Sequence, residues 1–237
     1  MDASLADQPI ATGQGSGSIA IALGANLGDP AATLIAVRPL LAKALVRWFS
    51  AHSPPTQPAP TLHWSPLFRT EPVGGPAGQP PYLNGAVVMA APTGLGSCPP
   101  ERQTLAAPLA LLEALQALEA QFGRQRLEHW GPRSLDLDLL WCGDVCCNSG
   151  VLDLPHPRLL ERSFVLAPLA AIDPNLIPPF QPSPPVQPGP PAQPGKPHGT
   201  PFHGIPLQSC GALLGQLLPR LQEAPPERVL PQQGWPE

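Results

Sequence analysis

The sequence predicts an α+β domain with a mainly antiparallel sheet, because patterns typical of strands and helices follow one another in a characteristic order. Apolar or alternating runs typical of strands occupy residues 18–23, 62–70, 82–91 and 134–141. An amphipathic helical pattern separates the first strand from the second, another separates the third from the fourth, and a helix follows. Two strand–helix–strand halves in this order fit a ferredoxin-like α/β sandwich.

The first predicted half begins with a short strand and a long helix. The apolar run 18–23 ends at GANLGD, a turn sequence, which marks the end of the strand. Pro30 suits the first turn of the helix that follows, whose apolar residues recur at steps of three and four. Pro39 lies inside this pattern and predicts a kink. The two strands that complete this half are separated by the turn-rich loop 71–81.

The second predicted half contains the clearest helix and the most distinct strand. Leucines recur on one stripe between Leu105 and Phe122, and Gly123 is placed to end the helix. In the stretch 134–141, leucines alternate with Asp136 and Asp138, which predicts a half-buried strand. A further helix of this half is predicted over about 164–171.

Composition divides the chain into four parts. Residues 1–17 are small and polar and predict a disordered lead, whereas 18–176 carry the predicted folded domain. Nearly a third of the 38 prolines fall within 177–206, which predicts an extended, disordered insert. The last part, 207–237, begins with leucines at helical spacing over 207–221, and we expect that helix to pack on the domain.

Composition and charge also narrow the classes of function. A net charge of −4 argues against a nucleic-acid partner. The first residues lack the basic start and apolar core of a secretory signal, and no window reaches the roughly 18–20 apolar residues of a membrane span. The five cysteines are odd in number and lack zinc-type spacing, which is typical of thiols in a reducing compartment. We therefore expect a soluble, cytoplasmic protein with no membrane partner. We also expect a monomer, although none of these features bears on the oligomeric state.

The paired aspartates Asp136 and Asp138 are the first candidates for chemistry. Residues two apart on a strand point to the same side, so their carboxylates stand together. Adjacent carboxylates do not both ionise readily without a cation, and magnesium is commonly held by one or two carboxylates plus substrate phosphates. A strand with a solvated polar face has the same pattern, so the pair alone does not decide between the two interpretations.

Arginines before this strand favour a phosphate ligand. Arg124, Arg126 and Arg133 lie within the loop that precedes it, together with His129 and Trp130. Arginine binds phosphate through paired hydrogen bonds, and cations beside paired acids are typical of a site for a metal-bound polyphosphate. Surface salt bridges are the alternative for the arginines, and packing is the alternative to an adenine contact for Trp130.

Two other groups suit a planar ligand and an anion. Tyr82 and Asn84 begin the third strand two residues apart, and they offer a flat ring and an amide that both donates and accepts hydrogen bonds. His156 lies between prolines and precedes Arg158 and Arg162, an arrangement that suits anion binding before a helix. A core tyrosine, a turn asparagine and a structural histidine are the alternatives. Phosphate-loop motifs of the GxxxxGK[ST] and GxGxxG types are absent.

These segments, taken together and in order, resemble the 6-hydroxymethyl-7,8-dihydropterin pyrophosphokinase family. The resemblance covers about residues 19–176 and rests on ALGANLGD, FRTEPVG with QPPYLN, LQALEAQFGRQR, WGPRSLDLDLL and PHPRLLERSFVLAPL. It implies a ferredoxin-like fold and transfer of a pyrophosphoryl group from ATP to a pterin alcohol in the folate pathway.

The same resemblance implies roles for individual residues. Asp136 and Asp138 match the aspartates that bind two magnesium ions, and Arg124 and Arg133 match the arginines that engage the triphosphate during transfer. The implied ATP contacts are Gln116, Glu119, Arg126, Trp130, His156 and Arg162. The implied pterin-binding residues are Tyr82 and Phe164 on the two sides of the ring, Asn84 at its edge, and Thr70 and Val73 in the same pocket.

Two other functions stay open on the sequence alone. The DxD pair would also suit another metal-dependent nucleotidyl- or glycosyltransferase, which would release pyrophosphate or a nucleoside diphosphate instead of AMP. The proline-rich stretch 177–201 would suit an adaptor that recruits a polyproline-binding partner.

Asp153 stands where the family often has a small hydroxyl residue, which leaves its contact with ATP open.

Overall fold

A computed structural model describes the chain over residues 17–95, 104–124, 131–179, 208–221, 224–229 and 234–235. Its strands are β1 (Ser18–Ala25), β2 (Leu62–Trp64), β3 (Phe68–Thr70), β4 (Tyr82–Ala90), β5 (Asp136–Cys142), β6 (Cys147–Asn148), β7 (Asp153–Leu154) and β8 (Glu227–Arg228). Its α-helices are α1 (Pro30–His52), α2 (Ala106–Gln121), α3 (Ser163–Ile172) and α4 (Cys210–Leu217). Residues 1–16 of the predicted lead, and the predicted insert beyond residue 179, lie outside the described residues.

The main sheet is antiparallel in all of its described pairings. β1 lies between β4 and β5 and pairs with both. β3 pairs with β4 and then with β8, which gives the order β5-β1-β4-β3-β8, and β2 also pairs with β4. The predicted α+β class with a mainly antiparallel sheet is therefore confirmed.

Helices cover both faces of this sheet. Alternate residues of β1 point to opposite faces, so Ile19 and Ile21 join one apolar cluster while Ala20 joins another. The first cluster includes the buried faces of α1 and α2, and the second includes those of α3 and α4. Cys210 of α4 is fully buried in the second cluster, which confirms that the predicted last helix packs on the domain. None of the described helices combines the length and hydropathy of a membrane span.

The prediction of one continuous strand over 62–70 is wrong, since the structure interrupts it after Trp64. Pro66 has no backbone N–H and cannot donate to the ladder. Three residues of this strand, 65–67, face two residues of β4, as in a bulge. The Ser65 hydroxyl fills part of the gap by accepting a hydrogen bond of 2.9 Å from Ala86 N. The interruption separates β2 from β3.

α1 begins at Pro30 and α2 ends close to Gly123, as predicted. Asp29 caps α1 by accepting a hydrogen bond from Ala32 N at 3.0 Å, and the helix continues through Pro39 as one element. Gly123 ends α2 with φ of +75°, a conformation that glycine adopts without strain. Arg124 N then donates to Glu119 O at 3.0 Å. This end of α2 fixes the position from which Arg124 extends.

Candidate active site

A cavity of about 280 Å³ lies on the α3 face of the sheet, between the central strands, the loop 71–81 and the start of α3. Nine of the predicted site residues line it: Thr70, Val73, Tyr82, Asn84, Arg133, Asp136, Asp138, Arg162 and Phe164. The structure thus brings together residues from four separate segments of the chain. The combination of acids, arginines, an amide and aromatic rings in one cavity suits a ligand with both a polyanionic and a planar part.

The two aspartates reach this cavity because β5 alternates. Leu137 and Leu139 are buried in the cluster beneath α1 and α2, so Asp136 and Asp138 point to the opposite face. In the register of β1 and β5, Gly24 lies beside Asp136 and Ala22 beside Asp138. These small residues also line the cavity and leave space in front of the carboxylates.

A network of ion pairs surrounds Asp136. Arg133 Nη1 donates to Asp136 Oδ2, and Arg124 Nη1 lies 2.8 Å from Asp136 Oδ1 as an ion pair without hydrogen-bond geometry. Arg124 Nη1 also pairs with the Glu119 carboxylate. Glu119 is only 3% exposed, and its Oε1 accepts a hydrogen bond of 2.7 Å from Leu137 N, between the two aspartates. The network holds both arginines close to the paired carboxylates.

The pKa of Asp138 shows the electrostatic strain at this pair. Burial, together with the neighbouring charge of Asp136, raises the pKa of Asp138 to about 7, although nearby arginines act in the opposite direction. A divalent cation would favour the ionised form of both carboxylates. Among the described residues no group of three or more His, Cys, Asp or Glu forms a metal cage. An oxygen pair of this kind fits magnesium that shares its remaining ligands with a nucleotide and water.

Magnesium affinity of the nucleotide-free protein is expected to fall as the pH drops through about 7. A proton on Asp138 competes with the cation, so affinity should be about tenfold lower at pH 6 than at pH 8. Titration with Mn²⁺ as the probe ion, followed by electron paramagnetic resonance, checks this pH dependence, because Mn²⁺ takes the same kind of oxygen ligands. Asp138→Asn is the control, because it should weaken binding and remove the pH dependence. Equal affinity of the unaltered protein at pH 6 and pH 8 would contradict the assignment.

The other end of the cavity carries the aromatic and amide groups. Asn84 is buried, and its Nδ2 donates to Thr70 Oγ1 at 2.7 Å. A Cβ at Gly24 would come within 2.8 Å of Asn84 Oδ1, so only glycine permits this position of the amide. Tyr82 and Phe164 both line the same space, and the Arg162 guanidinium lies 5.3 Å from the centre of the Phe164 ring. A fixed amide and two aromatic side chains in one cavity suit a flat heterocycle with polar edges.

The remaining predicted contacts do not line the cavity, or they lie outside the residues that the structure describes. Gln116 is exposed on α2 and does not line the cavity, whereas Arg124 and Glu119 reach it only through the ion-pair network. His156 N donates to Leu140 O at 2.7 Å, and burial with the nearby Arg162 lowers the pKa of His156 to about 4, so the ring is neutral at pH 7. The other two predicted ATP contacts, Arg126 and Trp130, lie outside the described residues.

The structure adds residues that were not among the predicted site residues. Glu71, Glu161 and Arg158 line the cavity, and of these only Arg158 lies in a segment that the sequence predicts to bind an anion. Asn26 is 2% exposed, and its side chain donates to Pro80 O at 3.1 Å and accepts from Arg133 N at 2.7 Å. Asn26 thus ties the loop 71–81 to the segment of Arg133. Its only signal in the sequence is its position in the GANLGD turn.

Comparison with known proteins assigns the chain to a family. A family model described as 7,8-dihydro-6-hydroxymethylpterin-pyrophosphokinase matches residues 20–174. Relatives named 2-amino-4-hydroxy-6-hydroxymethyldihydropteridine pyrophosphokinase include one from Synechocystis sp., 43% identical over 115 residues, which are 48% of this chain and 51% of that protein. The relative of the same name from Pseudomonas aeruginosa is 42% identical over 112 residues, 47% of this chain and 60% of that protein.

A third relative aligns over more of its length. The protein of the same name from Haemophilus influenzae is 33% identical over 159 residues, 67% of this chain and 83% of that protein. The matches to the Synechocystis and Pseudomonas proteins therefore span only about half to three-fifths of those two relatives. The family model, in contrast, spans well over half of the present chain. The chain belongs to the 7,8-dihydro-6-hydroxymethylpterin-pyrophosphokinase family.

Proposed function

We propose that this protein transfers pyrophosphate from ATP to 6-hydroxymethyl-7,8-dihydropterin, releases AMP, and thereby serves folate biosynthesis. The observation that carries the proposal is the single cavity in which paired acids and arginines adjoin an amide and two aromatic side chains. The family match and the names of the relatives support the same reaction. Neither the glycosyltransferase nor the adaptor alternative has support from these comparisons.

The pterin would occupy the aromatic end of the cavity. Its flat ring would lie between Tyr82 and Phe164. The Asn84 amide, which Thr70 holds in place, would form hydrogen bonds with the polar edge of the ring. Val73, which is about half exposed, would close the side of the pocket next to the loop 71–81. A pterin bound in this position would direct its hydroxymethyl oxygen towards the triphosphate at the other end of the cavity.

ATP would place its phosphates at the acidic and basic end. Asp136 and Asp138 would hold magnesium, and we propose two ions. The metal would neutralise charge on the phosphate oxygens. Arg124 and Arg133 would bind the triphosphate as it reacts. The further ATP contacts that we propose are Gln116, Glu119, Arg126, Trp130, His156 and Arg162.

The reaction would be an in-line displacement at the β-phosphorus. The hydroxymethyl oxygen of the pterin forms the new bond to this atom, the bond from the β-phosphorus to the oxygen bridging it to the α-phosphorus breaks, and AMP leaves with that oxygen. The hydroxyl proton is released as the new bond forms. Because the triphosphate under attack is a polyanion, positioning and cationic side chains contribute more than a protein base would. The arginines around Asp136 are the groups best placed for this role.

The strand order supports a ferredoxin-like sandwich as the finer description of the fold. If β2 and β3 are counted together as one strand, the four main strands in chain order are β1, β2/β3, β4 and β5. Their order across the sheet is then fourth, first, third and second, which is the ferredoxin-like order. We also propose that 18–176 form the pyrophosphokinase domain and that the protein acts in the cytoplasm as a monomer. A partner for the proline-rich segment is a further proposal, and its basis is composition alone.

The nucleotide product tests the proposed reaction. With ATP, magnesium and 6-hydroxymethyl-7,8-dihydropterin, the protein should form AMP in proportion to the pterin consumed, as measured by a coupled AMP assay. A control without pterin should form little AMP. Release of ADP would indicate a simple kinase, and release of free pyrophosphate with a nucleotidylated product would indicate a nucleotidyltransferase; either result would contradict the proposal.

A further inference from the structure

The last described residues, 224–229 and 234–235, return to the sheet although they lie beyond the segment that the family model matches. We call them the returning segment. Within it, β8 pairs with β3, so that Arg228 faces Phe68 and Glu227 faces Arg69. Val229 N also donates to Leu67 O at 2.8 Å. The returning segment therefore adds a strand to the short strand that ends at Thr70, a residue of the cavity.

Trp235 anchors the returning segment on the face opposite the cavity. It is 6% exposed, and its Nε1 donates to Ser65 O at 2.8 Å. The Trp64 ring packs edge-on against it, with ring centres 5.6 Å apart. Arg38 of α1 donates from Nη1 to Gly234 O at 3.2 Å. These contacts fix the indole at the interruption between β2 and β3.

Trp235 packs on the part of β4 that carries Asn84, but on the opposite face of the sheet. A Cβ at Gly85 would lie 3.2 Å from Trp235 Cζ2, so the indole packs directly on the β4 backbone. Asn84, the preceding residue, points to the opposite face and into the cavity. At the interruption, Pro66 cannot donate a ladder hydrogen bond. Ser65 instead links its strand to β4, because it donates from N to Ala86 O and accepts from Ala86 N through its hydroxyl. Trp235 binds this same Ser65.

We infer that the returning segment positions the pterin end of the cavity. Trp235 supports β4 from the face opposite the cavity and β8 supports β3 from the edge of the sheet, so that Thr70 and Asn84 keep their mutual hydrogen bond. This inference rests on the proposed function for the identity of the ligand. It assigns Trp235 as a positioning residue, since the indole packs on the face of the sheet away from the cavity. Loss of its support should weaken pterin binding and leave the ATP end of the site intact.

Trp235→Ala should raise the KM for the pterin about tenfold, with kcat and the KM for ATP changed by less than about twofold. Trp235→Phe, which keeps a packed ring and loses the hydrogen bond to Ser65, should raise the pterin KM by a smaller factor. Phe49→Ala is the control, because Phe49 is buried in the same apolar cluster near the carboxyl end of α1. It should lower thermal stability without changing the pterin KM.

Hydrogen exchange supplies a readout that does not depend on turnover. Amides of Ser65, Ala86 and Val229 should exchange faster in Trp235→Ala, and their acceleration should exceed that in Phe49→Ala. An unchanged pterin KM in Trp235→Ala, or an equal rise in the KM for ATP, would overturn the inference. An unaltered protein that does not act on the pterin would instead contradict the proposed function, and exchange would still show whether the returning segment supports these strands.

Discussion

Replacing Asp138 with alanine should abolish pyrophosphoryl transfer, with kcat/KM lower by at least about 10³. Asp138 lines the cavity beside Asp136, and burial together with the adjacent charge of Asp136 raises the pKa of its carboxyl to about 7. Removal of this carboxylate takes away one of two oxygen ligands that would hold magnesium against the phosphates. Steady-state kinetics at saturating magnesium measure the effect.

Asp138→Asn separates loss of charge from loss of packing. Because the asparagine side chain has nearly the same shape as aspartate, the variant should keep the fold. Because it lacks the negative charge, it should be as inactive as the alanine variant. Since ionisation of Asp138 is disfavoured in the folded state, the folded pKa lies above the unfolded value, and the unfavourable contribution grows as the pH rises towards 7. Asp138→Asn should therefore be more stable than the unaltered protein at pH 8 without metal, as measured by thermal unfolding.

Asp144 offers a matched control for this prediction. It is another aspartate whose pKa is raised by burial, but it follows β5 and does not line the cavity. Asp144→Asn should leave kcat/KM within about twofold of the unaltered protein. Normal turnover of Asp138→Ala, or an equal loss in the two asparagine variants, would contradict the assignment of Asp138 to the metal.

Replacing Arg133 with alanine is expected to lower kcat by about 10²–10³ and to change the KM for ATP much less. Arg133 lines the cavity and donates to Asp136, so its guanidinium lies where a metal-bound triphosphate would be placed. Asp136 keeps its contact with Arg124 in the variant, so the carboxylate does not lose all of its positive neighbours. The expected deficit therefore comes from charge stabilisation in the transition state.

Two further variants sharpen the interpretation of this result. Arg133→Lys keeps the charge but loses the planar paired donors, and it should recover only part of kcat. Arg47→Ala, on the exposed side of α1, removes one positive charge away from the cavity and should have no effect. If Arg133→Ala changed only the KM for ATP, the residue would serve ground-state binding and its assignment to the transfer step would be wrong.

The sequence predicted the parts of the fold that depend on local periodicity. The alternation of leucine and aspartate in β5, the apolar stripe of α2 and the stop at Gly123 all appear in the structure, because each follows from spacing along a few residues. The interruption at Pro66 was missed, although proline is itself a local signal, because the apolar pattern continued on both sides of it.

Other features depend on contacts between distant residues and had no such signal. Asn26 binds Pro80 and Arg133, which are 54 and 107 positions away, so its turn motif could not indicate what it holds together. β8 has only two residues, and its pairing with β3 is set by the fold. The carboxylate of Glu119, matched by resemblance to a nucleotide contact, instead binds Leu137 N and Arg124 in the structure, and its contact with ATP stays a prediction.

The destination of the β-phosphate of ATP tests the central proposal most directly. The protein is incubated with magnesium, the pterin and ATP labelled at the β-phosphorus, and the products are separated. The proposed reaction predicts that all label lost from ATP appears in a pterin diphosphate. Unlabelled AMP should form in an amount equal to that of the pterin diphosphate. Label recovered in ADP or in free pyrophosphate, with the pterin unlabelled, would contradict pyrophosphoryl transfer by this protein.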